Sequence, residues 1–98
     1  MENVEKNYME EIIIDFTLCK NRKDLYTELK KKIDLPYFLG ENADALWDCL
    51  MEFGNPPVRF CIKKAKSESF DVQYPMGLIL ESFGHFLEEE PESEVIIL

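Results

Sequence analysis

The span from Ile33 to Val58 contains no lysine and no arginine, although the whole chain carries 11 of these residues. It holds five carboxylates instead, at Asp34, Glu41, Asp44, Asp48 and Glu52. Surface helices usually mix charges, because opposite charges four residues apart stabilise a helix and like charges destabilise it. Asp44 and Asp48 form such a like-charged pair beside Trp47. A chain that keeps this repulsion is expected to use its negative field to bind a positively charged partner.

The rest of the composition argues against several classes of protein. The formal net charge is −9, whereas proteins that bind nucleic acid or anionic membranes need basic side chains against phosphate. The apolar runs are far too short to span a bilayer. The first 11 residues are polar and acidic, without the basic region and apolar run of a secretion signal. We therefore expect a cytoplasmic protein with no direct contact to nucleic acid or membrane.

Cysteine is also scarce. The three cysteines, Cys19, Cys49 and Cys61, are odd in number and lack the spacing of a metal site. This usage is typical of reduced thiols in or near the core of a cytosolic protein. A chain of 98 residues is long enough to bury a core without a disulfide or a metal. We expect one domain over residues 1–98, monomeric when free.

Hydrophobic patterning predicts strands that alternate with helices. Short apolar, β-branched runs predict buried strands, and apolar residues at helical spacing predict helices. The predicted strands are Glu11 to Leu18, Val58 to Ile62 and Val95 to Leu98. The predicted helices run from a cap at Asn21 to Ile33, from Ala43 to Phe53, and from Met76 to Glu89 with Pro75 near its start. The segment from Lys63 to Phe70 is ambiguous and compatible with a short helix. Such alternation predicts an α/β fold with a mostly parallel sheet.

The second predicted helix separates an apolar face from an acidic one. Successive helical residues turn by about 100°, which places a core face on Leu46, Cys49, Leu50 and Phe53. Asp44 and Asp48 project from the opposite side, and Glu41 lies just before the helix on that same side. Trp47 falls at the border, where a large ring can pack at its base and still offer an edge to a partner.

Residues 36–50 read PYFLGENADALWDCL and resemble the signature of the barstar family, whose members are intracellular inhibitors of small secreted bacterial ribonucleases. That signature is a proline, an aromatic pair, Gly-Glu-Asn and then Leu-Asp-Ala-Leu-Trp-Asp-Cys-Leu. Outside this run the agreement is looser. The resemblance implies a three-stranded parallel sheet packed with three to four α-helices. It also implies an immunity protein without a cofactor, whose partner is a small, basic, extracellular, barnase-like ribonuclease.

The resemblance further implies roles for individual residues. In the family, the loop and helix plug the enzyme's active site, with carboxylates where RNA phosphates would lie. Asp48 matches the central carboxylate, and Asp44 matches the second acidic position. The remaining positions expected to contact the partner are Trp47, Asn42, Gly40, Phe38, Phe53 and Glu41.

Three positions depart from the family pattern. Phe38 replaces a tyrosine that stacks on a catalytic imidazole, so the ring is kept and the hydroxyl is lost. Phe53 stands where the founding member has a tryptophan. The family's last acidic contact, on the late helix, falls on His85, or on Glu81 or Glu88 if the alignment slips by one turn.

The same residues are compatible with other functions. The acidic face alone is typical of solvated surface. Cys49 and His85 form a conceivable nucleophile and base, but Cys49 falls on the core face, so an enzyme is not favoured. A metal site from Glu41, Asp44 and Asp48 is not favoured either, because such sites usually converge from a loop rather than from one regular helix face. The alternative that the chain is a barstar-like module that binds a different toxin or a non-nuclease protein remains open.

Overall fold

The computed structural model describes residues 9–33, 43–51 and 57–98, and these ranges contain three strands and three helices. The strands are β1 (Glu10–Asp15), β2 (Val58–Lys63) and β3 (Glu94–Ile97), and the helices are α1 (Arg22–Lys32), α2 (Ala43–Met51) and α3 (Phe70–Glu89). The strands pair in parallel in the order β1-β2-β3. The predicted α/β fold with a three-stranded parallel sheet is therefore confirmed. Within the described ranges, no helix is both long enough and apolar enough to cross a membrane.

The sheet buries one face and leaves the other open. The buried strand residues, which belong to the same hydrophobic cluster as residues of all three helices, are Ile12, Ile14, Val58, Phe60 and Ile62. Phe60, on the central strand, meets the rings of Phe83 and Phe86 of α3 edge-on, with centroids 4.9 and 5.7 Å apart. On the opposite face, Nε of Arg59 donates to Oε1 of Glu94 at 2.8 Å. The helices therefore pack on the face that carries Phe60.

The first helix begins and ends as its sequence predicts. Oδ1 of Asn21 accepts a hydrogen bond from the backbone N–H of Asp24 at 2.8 Å, which confirms the predicted N-terminal cap. The last turn carries Lys30, Lys31 and Lys32. Cations at this end lie near the partial negative charge of the helix and stabilise it.

The first strand is shorter than predicted. The carboxylate of Asp15 accepts hydrogen bonds from the backbone N–H and the hydroxyl of Thr17, at 2.9 and 2.6 Å, and so begins a turn. The backbone N–H of Cys19 then binds the carbonyl of Phe16 at 3.0 Å. Leu18, predicted to lie in the strand, is 83% exposed. The local bonds of Asp15 compete with the sheet and end β1 before the apolar run ends.

The structure resolves the ambiguous segment and corrects the start of the last helix. Residues 64–69 form no helix, and α3 begins at Phe70 rather than at the predicted Met76. The hydroxyl of Ser69 accepts from the backbone N–H of Asp71 at 3.2 Å and caps the helix. Pro75 consequently lies inside α3, where it removes one backbone donor without ending the helix.

Candidate functional site

The described part of α2 separates its two faces as predicted. Leu46 and Leu50 are fully buried in the core, whereas Asp44 and Asp48 are exposed. Among the described residues, no lysine or arginine forms an ion pair with Asp48. The carboxylate of Asp48 is therefore available to a cation from another molecule.

Trp47 lies at the border of the two faces and is half-buried. Its indole Nε1 is buried and has no hydrogen-bond partner in the described part of the chain. A buried donor without an acceptor costs about 1–3 kcal/mol. The packing of the ring has to offset that cost, and α2 places Trp47 between the two aspartates in sequence.

A groove of about 750 Å³ runs between the three helices and brings the acidic residues of α2 and α3 together. The described residues that line it are Arg22 and Tyr26 of α1, Ala43, Asp44, Trp47 and Asp48 of α2, and Pro75, Leu78, Glu81, Ser82 and His85 of α3. We call it the acidic groove, because it holds three carboxylates and one guanidinium among these residues. Its walls come from segments that are far apart in sequence.

One hydrogen bond fixes the start of α2 against α3. The hydroxyl of Ser82, which is buried, lies 3.2 Å from the carbonyl oxygen of Ala43 and 3.3 Å from that of Leu78. A hydroxyl has one proton to donate, so the two carbonyls share it. The bond to Ala43 holds the first turn of α2, and with it Asp44, at a set distance from the α3 wall.

Two of the three candidates for the family's last acidic contact lie in the groove on α3. Glu81 and His85 line the acidic groove. Glu88 is not among the lining residues, and its Oε1 lies 3.7 Å from Nδ1 of His85. The groove wall on α3 therefore presents an imidazole and, one turn earlier, a carboxylate, and the family's late acidic contact stays a prediction for His85, Glu81 or Glu88.

Sequence reasoning missed six residues that line the groove, namely Arg22, Tyr26, Ala43, Pro75, Leu78 and Ser82. Arg22 carried a weak signal, since a cation at the first position of a helix opposes the helix dipole. Tyr26 reads as an ordinary core residue, and Ser82 as one polar residue on a long helix. Only the packing of α1, α2 and α3 together shows that these side chains share a site.

Five of the predicted contact residues lie outside the described residues. These are Phe38, Gly40, Glu41, Asn42 and Phe53. The structure therefore positions Asp44, Trp47 and Asp48 of the predicted set, and it leaves the expected roles of the other five as predictions.

The positions of the described residues also bear on the alternatives of an enzyme site and a metal site. Cys49 is partly buried and packs against the core, whereas His85 is exposed on the groove wall. In the described ranges, no cluster of three or more His, Cys, Asp or Glu side chains could hold a metal ion. The groove thus offers charge and shape, which suit recognition of another molecule.

Comparison with known proteins points to one family. Residues 9–94 match the family described as "Barstar (barnase inhibitor)". A protein of Bacillus subtilis (strain 168) named "Putative ribonuclease inhibitor YrdF" is 42% identical over 55 residues. That match covers 56% of this chain and 60% of the length of the relative.

Proposed function

The chain belongs to the barstar family, and from that premise we propose that it is an immunity protein that inhibits a small, basic, extracellular, barnase-like ribonuclease. It acts by placing the carboxylates of the acidic groove in the enzyme's active site. The family description and the name of the relative support a ribonuclease-inhibitor role. Masking an active site needs shape and charge, so the proposed function requires neither a cofactor nor a catalytic residue.

The observation that carries the proposal is the joint position of Asp44, Asp48 and Glu81. The two aspartates are exposed on one side of α2, and Glu81 lines the same groove from α3. A ribonuclease binds the phosphates of RNA with cationic side chains, and three carboxylates on one surface are suited to the same cations. Charge-assisted hydrogen bonds of this kind are about twice as strong as neutral ones.

Asp48, Asp44 and Trp47 of α2 have distinct proposed roles. Asp48 is the central carboxylate and enters the phosphate pocket of the enzyme. Asp44 binds a second cation at its edge, and Trp47 packs against the rim. The family's remaining contacts are proposed for the segment before α2 and for the residue after it, at Phe38, Gly40, Glu41, Asn42 and Phe53.

Electrostatics also supports rapid capture of the enzyme. A net charge of −9 attracts a basic protein from a distance. The attraction between exposed charges is screened beyond about 10 Å at 0.1 M salt. We therefore expect the association rate to fall with added salt, and the dissociation rate to depend mainly on the contacts inside the groove.

A second candidate keeps the fold and changes the partner. His85 and Glu81 both line the groove, and the family's last acidic contact aligns with His85 or, if the alignment slips by one turn, with Glu81 or Glu88. In the alignment with His85, an imidazole replaces a carboxylate, which favours a toxin or another protein whose surface differs from that of barnase.

The experiment is an RNA-cleavage assay with barnase, with and without an equimolar amount of this protein. We expect the wild-type chain to suppress cleavage of RNA. At low concentrations of both proteins, the Asp48→Ala variant should no longer suppress it. Glu92→Ala is the matched control, because it removes an exposed carboxylate that does not line the groove. Unimpaired cleavage in the presence of the wild-type protein would reject barnase as the target and leave the second candidate.

A further inference from the structure

Two aromatic rings at the start of α3 are left in solvent. Phe70 is 73% exposed and Tyr74 is 52% exposed. The rings stack on each other, with centroids 5.2 Å apart and an angle of 18° between the planes. Neither residue belongs to the hydrophobic core. Aromatic side chains are enriched at protein interfaces. Because these two rings lie outside the core, packing within the fold does not explain why aromatic residues occur here.

Two cations lie beside the rings. A shallow cleft of about 350 Å³ is lined by Phe70 and Tyr74 together with Arg22 and Lys23 of α1, and Asp71 supplies one carboxylate to the same cleft, so the two cations outnumber it. These are the first two residues of α1, where a cation faces the partial positive charge of the helix and destabilises it slightly. The stability of α1 therefore does not account for them. We call Arg22, Lys23, Phe70 and Tyr74 the aromatic-basic patch.

The aromatic-basic patch is continuous with the acidic groove. Arg22 and Pro75 line both the cleft and the groove. Leu78, one turn after Tyr74 on α3, is partly exposed and lines the groove. One protein surface can therefore cover the carboxylates of the groove and the rings of the patch together.

The area that a stable complex buries also supports contact between the partner and the aromatic-basic patch. A specific complex usually buries about 800 Å² on each partner and involves about 20–30 residues a side. The acidic groove has 11 lining residues in the described part of the chain. A partner seated in it also needs surface outside the groove, and among the described residues the aromatic-basic patch is apolar surface that adjoins the groove along α3.

We propose that the ribonuclease bound in the acidic groove also covers the aromatic-basic patch, with an apolar side chain against Tyr74 and a carboxylate opposite Arg22. This inference rests on the proposed function and adds a determinant of which ribonuclease is bound. An enzyme that offers only cations to this surface meets repulsion at Arg22, whereas one with an acidic residue there gains an ion pair. The patch thus selects among basic enzymes that the groove alone would attract equally.

The test measures dissociation constants for barnase with the wild-type chain and three variants. Arg22→Glu reverses one charge in the patch, and Lys63→Glu makes the same change at the end of β2, away from both the groove and the patch. General attraction to a basic enzyme predicts that both reversals tighten binding. The proposal predicts that Arg22→Glu instead weakens binding about tenfold, while Lys63→Glu does not weaken it.

Tyr74→Ala provides the second variant of the patch. We expect it to weaken binding about fivefold. The exposure of Tyr74 means that its truncation should leave the thermal midpoint nearly unchanged, and Arg22→Glu should not lower the midpoint, because an acidic residue suits the start of a helix. Circular dichroism melting of each variant shows whether a loss of affinity reflects unfolding.

The outcomes separate this inference from the proposed function. Weaker binding by Arg22→Glu and Tyr74→Ala, with intact folding, supports the patch. Unchanged or tighter binding by either variant, while Asp48→Ala still weakens binding, overturns the patch and leaves the inhibitor role standing. Absence of binding by the wild-type chain overturns both proposals for barnase.

Discussion

The hydroxyl oxygen of Ser82, in the middle of α3, lies 3.2 Å from the carbonyl oxygen of Ala43, the first residue of α2. The two residues are 39 positions apart in sequence, and their bond sets where the acidic face of α2 stands relative to Glu81 and His85. The geometry of the acidic groove therefore depends on a neutral hydrogen bond at its base as well as on its charges.

Removing that bond should affect both stability and binding. We expect Ser82→Ala to lower the free energy of unfolding by about 1 kcal/mol, the usual net value of one hydrogen bond, and to weaken the binding of barnase. Ser93→Ala is the matched control. Its hydroxyl accepts from the backbone N–H of Val58 at 3.0 Å, is also buried, and does not line the groove.

Urea unfolding and a binding titration on both serine variants check this prediction. Ser93→Ala should lose stability and keep its affinity. An equal loss of affinity in the two variants would show that the Ser82–Ala43 bond does not position the groove.

The carboxylates at positions 44, 48 and 52 should contribute unequally to affinity. We expect Asp48→Ala to weaken binding of barnase more than Asp44→Ala does, and either more than Glu52→Ala. The reason is that Asp48 is the proposed central contact, and loss of a hydrogen bond to a charged group costs about 1.5–3 kcal/mol, or more than tenfold in affinity. Dissociation constants at one fixed salt concentration give the order, and a nearly neutral Asp48→Ala would contradict it.

Acid should remove one contribution of Glu28 to stability. Burial by itself raises the pKa of Glu28, but the backbone N–H of Asp15 and the ammonium of Lys32, 2.9 Å from its carboxylate, outweigh burial and hold the pKa below its ordinary value of 4.5. A carboxylate with a lowered pKa in the folded state stabilises the fold above its unfolded pKa. That stabilisation disappears as the pH falls through the folded pKa.

The measurement is the thermal midpoint of the wild type and of Glu28→Gln between pH 7 and pH 3. The wild type should be the more stable at neutral pH, and the difference should shrink below about pH 4.5. Glu68→Gln, at an exposed position in the loop before α3, serves as the control. A difference between wild type and Glu28→Gln that stays constant over this range would refute the role of the charged carboxylate.

The cysteines should differ in reactivity. Cys19 is buried, and loss of solvation raises the pKa of its thiol to about 11, so the thiolate that reacts with alkylating agents is rare at pH 8. The pKa of Cys61 is raised too, by partial burial and by the hydrogen bond that its thiol donates to the carboxylate of Glu11 at 3.2 Å, but its sulfur is less buried than that of Cys19. We expect iodoacetamide to label Cys61 before Cys19 in the native protein.

Peptide mass spectrometry after timed labelling at pH 8 gives the order. Urea should expose Cys19 and remove its protection, which makes the unfolded chain the internal control. Rapid labelling of Cys19 in the native protein would mean that its thiol is not in the core.

Sequence alone was sufficient for the order and type of most elements and for the two faces of α2. Leu46, Leu50, Asp44 and Asp48 fall on their faces because helical periodicity is a local property that the apolar spacing records directly. The limits of β1 and α3 were not predicted, since Asp15 and Ser69 redirect the backbone through side-chain hydrogen bonds that compete with the apolar pattern.

The acidic groove was decided by tertiary structure. Arg22, Asp48 and Glu81 come from three helices, and no spacing in the chain indicates that they line one groove. Their convergence follows from the packing of the helices on one face of the sheet and from the bond between Ser82 and Ala43. Periodicity determines which side of a helix faces outward, but only packing over long sequence separations determines which outward side chains become neighbours.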